Sequence, residues 1–140
     1  MQWPTTLLRH DTPAAMNSGV QPHYDWLILD PQAHRNPDLG LWTMRTPAHW
    51  RDWPKLQRLD LTPLPRHRRR YLHWEGQLTG NRGHVHIAGR GHVVAHLWTP
   101  ARIELTLHPH AANHATEEPI ALSLTPLAAG WRGVVNSPVR

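Results

Sequence analysis

The chain contains no cysteine, no phenylalanine and a single lysine. The first absence excludes disulfides, thiolate metal ligands and a cysteine nucleophile. The second leaves the core to Leu, Val, Ile and eight Trp, several of which need a hydrogen-bond partner or a half-wet position for the indole N–H. Long hydrophobic runs are also lacking. No stretch approaches the roughly 20 apolar residues of a membrane span, and the first residues lack the apolar core of a secretory signal. A cytoplasmic protein without membrane contact is expected. Stretches free of Pro and Gly are equally scarce. With 14 Pro and 9 Gly in 140 residues, the longest such stretch is the ten residues from Arg66 to Glu75. That punctuation all but excludes a long helix.

What remains is short strands. Nine segments read as strands: Thr5–His10, His23–Leu29, Leu39–Met44, Arg69–Trp74, His84–Ala88, His92–Trp98, Arg102–Leu107, Ile120–Leu124 and Trp131–Val135. Such density predicts a mostly β protein, an antiparallel barrel or sandwich of eight or nine short strands with one or two short helices at most. One helix fits Ala48–Gln57, limited by Pro54. Two polar loops, Asp11–Pro22 and His108–Pro119, are long, and the last residues from Asn136 are expected to fray. No repeat or linker divides residues 1–140, so one domain is expected.

The formal charge is +5, and 14 of the 15 basic residues are Arg. Arg presents a planar fork that suits phosphate oxygens, so the balance favours a polyanionic partner such as nucleic acid. Thirteen His add metal-binding capacity.

The segment His23-Tyr24-Asp25-Trp26-Leu27-Ile28-Leu29 carries the strongest chemical signal. Side chains alternate along a strand, so His23 and Asp25 share a face with Leu27 and Leu29, while Tyr24, Trp26 and Ile28 take the other. An imidazole and a carboxylate two residues apart can converge on one divalent ion, Mn, Fe or Zn rather than Mg. The bland alternative is a surface His beside a surface Asp. His10 ends the preceding strand and becomes the third ligand if the two strands pair. Asp11 is an alternative outer partner that orients a ligand.

A second constellation is His67 and Tyr71, four residues apart and so on one side of a strand or a helix. Both can donate to a phosphoryl oxygen, with His67 as transition-state stabiliser or general acid. Arg66, Arg68, Arg69 and Arg70 surround them and can hold a phosphate backbone, or form a solvated basic face. Arg82, in a Gly-flanked turn, is a further phosphate contact or a plain turn residue. Glu75 is expected to hold a turn through backbone N–H groups. His84 and His86, and likewise His92 and His96, read as the wet face of half-buried strands. His108, His110 and His114 sit in or beside a polar loop, where a second metal site is a minor alternative.

The run Leu7-Leu8-Arg9-His10-Asp11 followed by His23-Tyr24-Asp25-Trp26 resembles the H-D…H-Y-D-F opening of the 3′-phosphoesterase domain of bacterial DNA ligase D. Leu41-Trp42 is similar to that family's strand ending in Trp ahead of a Pro-containing loop. His67 to Gly76 resembles its H-x-x-x-Y-x-x-[FYW]-E-G stretch, and Asn81-Arg82-Gly83-His84-Val85 its turn into a strand. These motifs occur in order between about Leu7 and Gly91, with spacing nearest the short stand-alone relatives. The resemblance implies a compact β-barrel that removes a 3′-phosphate or a 3′-terminal ribonucleotide from DNA ends with manganese, beside ligase or polymerase repair proteins. It implies His10, His23 and Asp25 as metal ligands, with His67, Tyr71 and Arg58 on the phosphate. The gap from His10 to His23 is several residues longer than in the ligase domain, and two positions depart from the pattern. Leu27 stands where the family has Arg, and Leu64-Pro65-Arg66 replaces an acidic residue ahead of the phosphate His. Losing a preorganised charge commonly costs about 10² to 10³ in rate. A binding module with a broken catalytic set is therefore the competing expectation. A non-haem iron oxygenase, drawing its second His from His84, His92 or His96, is the third.

Overall fold

The computed structural model describes residues 2–12, 22–110 and 117–136. Its longest element is strand β6, His84–Trp98, into which the two expected strands His84–Ala88 and His92–Trp98 have merged. The glycines between them do not break the strand because each sits where another group comes close. A Cβ on Gly89 would lie 2.5 Å from the Trp50 ring, and one on Gly91 2.5 Å from the His108 carbonyl oxygen. Two irregularities bend the strand. Ala88 is extra opposite Leu7 and Leu8, and His96 is extra opposite Leu105 and Glu104. The bent strand thereby pairs along its first part with β1, Gln2–Asp11, and along its second with β7, Ile103–Pro109.

The other strands are β2 (His23–Ile28), β3 (Trp42–Thr46), β4 (Arg58–Pro63), β5 (Gly76–Gln77), β8 (Ile120–Pro126) and β9 (Trp131–Val135). Neighbours run β1-β2-β3-β4-β9-β8-β7-β6, all antiparallel, and the β1–β6 pairing closes the ring into an eight-stranded barrel. β5 is an extra strand on β6. A barrel of this size is narrow enough for side chains to fill. Trp3, Leu7, Trp26, Ile28, Trp42, Met44, Leu59, Leu61, Val93, Ile103, Leu105, Leu107, Ile120, Leu122 and Leu124 do so, with Trp50 and Trp53 packed among them. Trp26 donates to Thr5 Oγ1 at 2.8 Å and Trp53 to the Ala48 carbonyl at 3.0 Å, as a buried indole requires. Trp3 and Trp50 depart from that expectation: among the described residues their buried Nε1 atoms have no hydrogen-bond partner.

Gly89→Ala is expected to cost about 1–3 kcal/mol, because the new methyl overlaps a Trp50 ring with no room to yield. A denaturant midpoint measured against the wild type checks this, and an unchanged midpoint would contradict it.

Three local expectations need correction. Arg69–Trp74 is not a strand; Arg69–Leu72 is a 3₁₀ turn whose side chains are occupied as described below. Strand β4 was not expected, although Leu59 and Leu61 alternate with Arg58 and Asp60. Helix α1, Pro31–Arg35, lies outside the expected elements, although Asp30 caps it and Pro31 follows directly. The segment expected as a helix, Ala48–Gln57, holds a 3₁₀ turn, Trp50–Asp52, and helix α2, Trp53–Leu56. The loops expected at Asp11–Pro22 and His108–Pro119, with His114, lie largely outside the described residues, as do residues 137–140.

Candidate metal centre

Alternation puts Trp26 and Ile28 inside the barrel and His23, Asp25 and Leu27 outside it. The register then assembles the group. His10 stands directly opposite His23 across the β1–β2 pair, and Leu8 opposite Asp25. On the other side of β2, Arg45 of β3 stands opposite Asp25. His10, His23 and Asp25 each offer one ligand atom within 4.8 Å of the others. The two imidazoles meet edge to face, with centroids 4.9 Å apart. Among the described residues no other group of three His or acidic side chains converges as closely, so His84, His92 and His96 do not complete this one.

The surroundings suit a cation. Asp25 is 3% exposed, and its Oδ1 has no hydrogen-bond partner among the described residues. That oxygen lies 3.3 Å from His23 Nε2, which in turn lies 3.4 Å from Arg45 Nη2. Arg45 can only donate, which needs a lone pair on that nitrogen, whereas the carboxylate would need a proton there. One atom cannot meet both demands. An ion between His23 Nε2 and Asp25 Oδ1 removes the conflict, and two nitrogens with one oxygen suit Mn, Zn or Fe. His10 Nε2 donates to the Arg82 carbonyl at 2.9 Å, which leaves Nδ1 as the nitrogen able to coordinate. The turn carrying that carbonyl depends on Gly83 (φ +104°), where a Cβ would strike the Asp11 carbonyl. Asp11 itself is turned elsewhere, to Arg9 Nε at 3.0 Å and His86 Nε2 at 3.1 Å, and does not orient a ligand.

Residues 64–82 lie over this outer face and carry the second constellation. His67 Nε2 lies 3.5 Å from Asp25 Oδ2, and its Nδ1 donates to the Pro65 carbonyl at 2.9 Å. Burial would raise the Asp25 carboxyl, but the adjacent His23 and His67 rings outweigh it and hold it below the usual range. Burial would lower His67, but Asp25 and the Pro65 carbonyl outweigh that and raise it above the ordinary imidazole value. The Tyr71 ring packs edge-on against His67 at 5.8 Å. Arg70 lies over the Tyr71 and Trp74 rings at 5.1 and 4.8 Å. An open cavity of about 850 Å³ runs between these groups, and Arg45, Arg68, Arg70, Tyr71 and Arg82 line it beside His10, His23 and His67.

The arginines divide. Arg66 forks onto Asp30 with two contacts of 2.9 Å and also donates to the Gly40 carbonyl. Arg69 donates to the carbonyls of Ala33, Leu39 and Asn36. Both guanidinium groups therefore clamp the covering segment to α1 and the loop after it, although Arg66 also lines the cavity. Arg82 is braced by Thr79. Arg58 is exposed on β4 opposite Val134 and does not line the cavity. Arg45 was not anticipated, because only strand pairing brings it beside Asp25. Leu27 lies fully buried with Leu8, Leu41 and Leu72 in a second small core that seats the covering segment. Thr6 Oγ1 adds a hydrogen bond to the Leu72 carbonyl at 2.8 Å, and Glu75 Oε2 accepts from the Ile87 amide at 2.8 Å, so Glu75 ties the covering segment to strand β6 rather than holding the turn expected of it.

These features define an antiparallel β-barrel with a possible His/His/Asp metal site on its outer face. No protein-family model matches the chain, and no curated protein matches its sequence.

Proposed function

We propose that this protein is a metal-dependent phosphoesterase acting on DNA 3′ ends, removing a 3′-phosphate or a 3′-terminal ribonucleotide. The observation that carries the reading is the buried Asp25, flanked by two candidate ligands on one side and by His67 on the other, with His10, His23 and His67 lining a cavity that arginines also line. His10, His23 and Asp25 would hold the ion, manganese in the first instance. Bound there, it would act as a Lewis acid on a phosphoryl oxygen.

The remaining work falls to this chain's own side chains. His67 is fixed by the Pro65 carbonyl at Nδ1, so Nε2 is the nitrogen that faces the site. Its raised affinity for protons favours the imidazolium, which donates to a phosphoryl oxygen or protonates a leaving oxygen. Tyr71 lies beside it as a second donor. Arg45, Arg68, Arg70 and Arg82 supply the positive charge a phosphate backbone needs, and Arg45 offers a cation where the resemblance to DNA ligase D 3′-phosphoesterases would place one at Leu27. Open access to the cavity suits a strand end. The same chemistry accommodates a DNA or an RNA-containing end.

The test is a primer–template ending in a 3′-phosphate or a single 3′-ribonucleotide, incubated with the protein and Mn²⁺. Conversion to a 3′-hydroxyl is expected, and His67→Ala is expected to slow turnover by about 10² to 10³. Leu27 supports a second reading, a nucleic-acid-binding module of the same fold without turnover, because the position is filled by packing. Binding of the same substrate with no conversion under Mn²⁺, Zn²⁺ or Fe²⁺ would select that second reading.

A further inference from the structure

A different set of imidazoles lies on the outer face of the β6–β7 pair. His92 stands directly opposite His108 in the register. Pairing continues one residue past β7, because the His110 amide donates to the Arg90 carbonyl at 2.8 Å. His110 is two residues beyond His108, so alternation returns it to the same face. Three imidazoles therefore share one patch of sheet through backbone pairing.

Their ring geometry is specific. His92 and His108 stack nearly parallel, 11° apart with centroids at 4.7 Å. His92 Nδ1 and His110 Nε2 lie 3.4 Å apart, at the long limit of a hydrogen bond. Two nitrogens on one tetrahedral ion, at about 2.0–2.1 Å each, are separated by about 3.3–3.4 Å. This pair thus already stands at chelating separation. His108, stacked on His92, would join the same ion only with a turn of its ring about χ1 and χ2.

We infer that His92, His108 and His110 form a second metal site, separate from the His10–His23–Asp25 group, that takes an imidazole-preferring ion such as Cu²⁺, Ni²⁺ or Zn²⁺. The ligand set explains the selectivity. It contains no carboxylate, and Arg90 stands opposite His110, so charge attraction contributes little and the nitrogen–metal bonds must carry the affinity. Mn²⁺ and Mg²⁺, which favour oxygen, are poor occupants.

The test is a titration of the full chain with Cu²⁺, read by stoichiometry and by the nitrogen hyperfine pattern in electron paramagnetic resonance. His92→Ala, His108→Ala and His110→Ala are made singly at positions outside the barrel core. Each is expected to weaken one class of Cu²⁺ sites by at least about 10-fold, the cost of losing even an outer-shell partner of a metal. Each is also expected to simplify the nitrogen pattern. Mn²⁺ binding is followed in parallel and is expected to be the same in all four proteins, which separates this site from the proposed phosphoesterase centre. A fall in Cu²⁺ affinity in none or only one of the three variants overturns the inference, as does a hyperfine pattern that none of them changes.

Discussion

Asp25→Asn is expected to lower Mn²⁺ affinity by more than about 100-fold, since outer-shell partners of a metal alone are worth about 10- to 100-fold and a direct ligand exceeds them. Turnover on a 3′-phosphate end should fall with it, by on the order of 10³ or more at fixed Mn²⁺. Asn retains the shape of the buried side chain and removes its charge. His23 Nε2 then keeps Arg45 as a donor and loses the carboxylate competing for the same nitrogen. The barrel should therefore fold as before, because Asp25 faces away from the apolar interior. Calorimetric titration with Mn²⁺ and a urea transition, on the same preparation, separate the two effects. Wild-type Mn²⁺ affinity in Asp25→Asn would remove this residue from the metal centre. If stability collapsed as well, Asp25 would be structural.

Arg66→Ala is expected to cost about 2–4 kcal/mol. Asp30 is 1% exposed, and its two carboxylate oxygens are held by the Arg66 fork. Removing the guanidinium leaves a buried charge uncompensated, which is far costlier than the pair itself is stabilising. Two companion variants identify the cause. Arg66→Lys keeps the charge but not the bidentate geometry, and should fall between wild type and Arg66→Ala. In the double variant Asp30→Asn/Arg66→Met, the charge that Arg66→Ala would strand is gone and Asn still caps α1, so most of the loss should be recovered. Urea midpoints measure all four proteins. Because His67 follows Arg66 and its carbonyl accepts from the Leu41 amide at 2.7 Å, hydrogen exchange at Leu41 should accelerate in Arg66→Ala. Equal midpoints for wild type and Arg66→Ala would show that the clamp is not structural.

Both predictions concern residues whose types were visible in the chain, yet only the placement of the first was. His23 and Asp25 were legible as side chains sharing one face because the two-residue period of a strand is local. Arg66 and Arg69 stood out as a basic run, and any such run beside a His and a Tyr suggests a phosphate. Their partners, Asp30 and the carbonyls of Ala33, Leu39 and Asn36, lie 30 or more residues away, and no local pattern announces them. Arg69–Trp74 reads as a strand for the same reason: the hydrogen bonds of Arg69 to distant carbonyls favour a 3₁₀ turn that propensity does not reveal. Arg45 could not be placed at the site without the β2–β3 register. Nor could alternation along β2 say which face enters the barrel, because Leu27 on the outer face is as buried as Trp26 on the inner one.

The sequence by itself determined a β fold, through the density of Pro and Gly and the short alternating segments between them. It also determined which side chains share a face of each strand. The tertiary structure decided the closure of the ring through β1 and β6, the pairing of His10 with His23, and the division of the arginines into clamps and cavity walls. The physical reason is range. Alternation is a property of a single chain segment. Register, closure and the capture of a guanidinium by a buried carboxylate depend on segments far apart in sequence, and are settled only when the whole barrel packs.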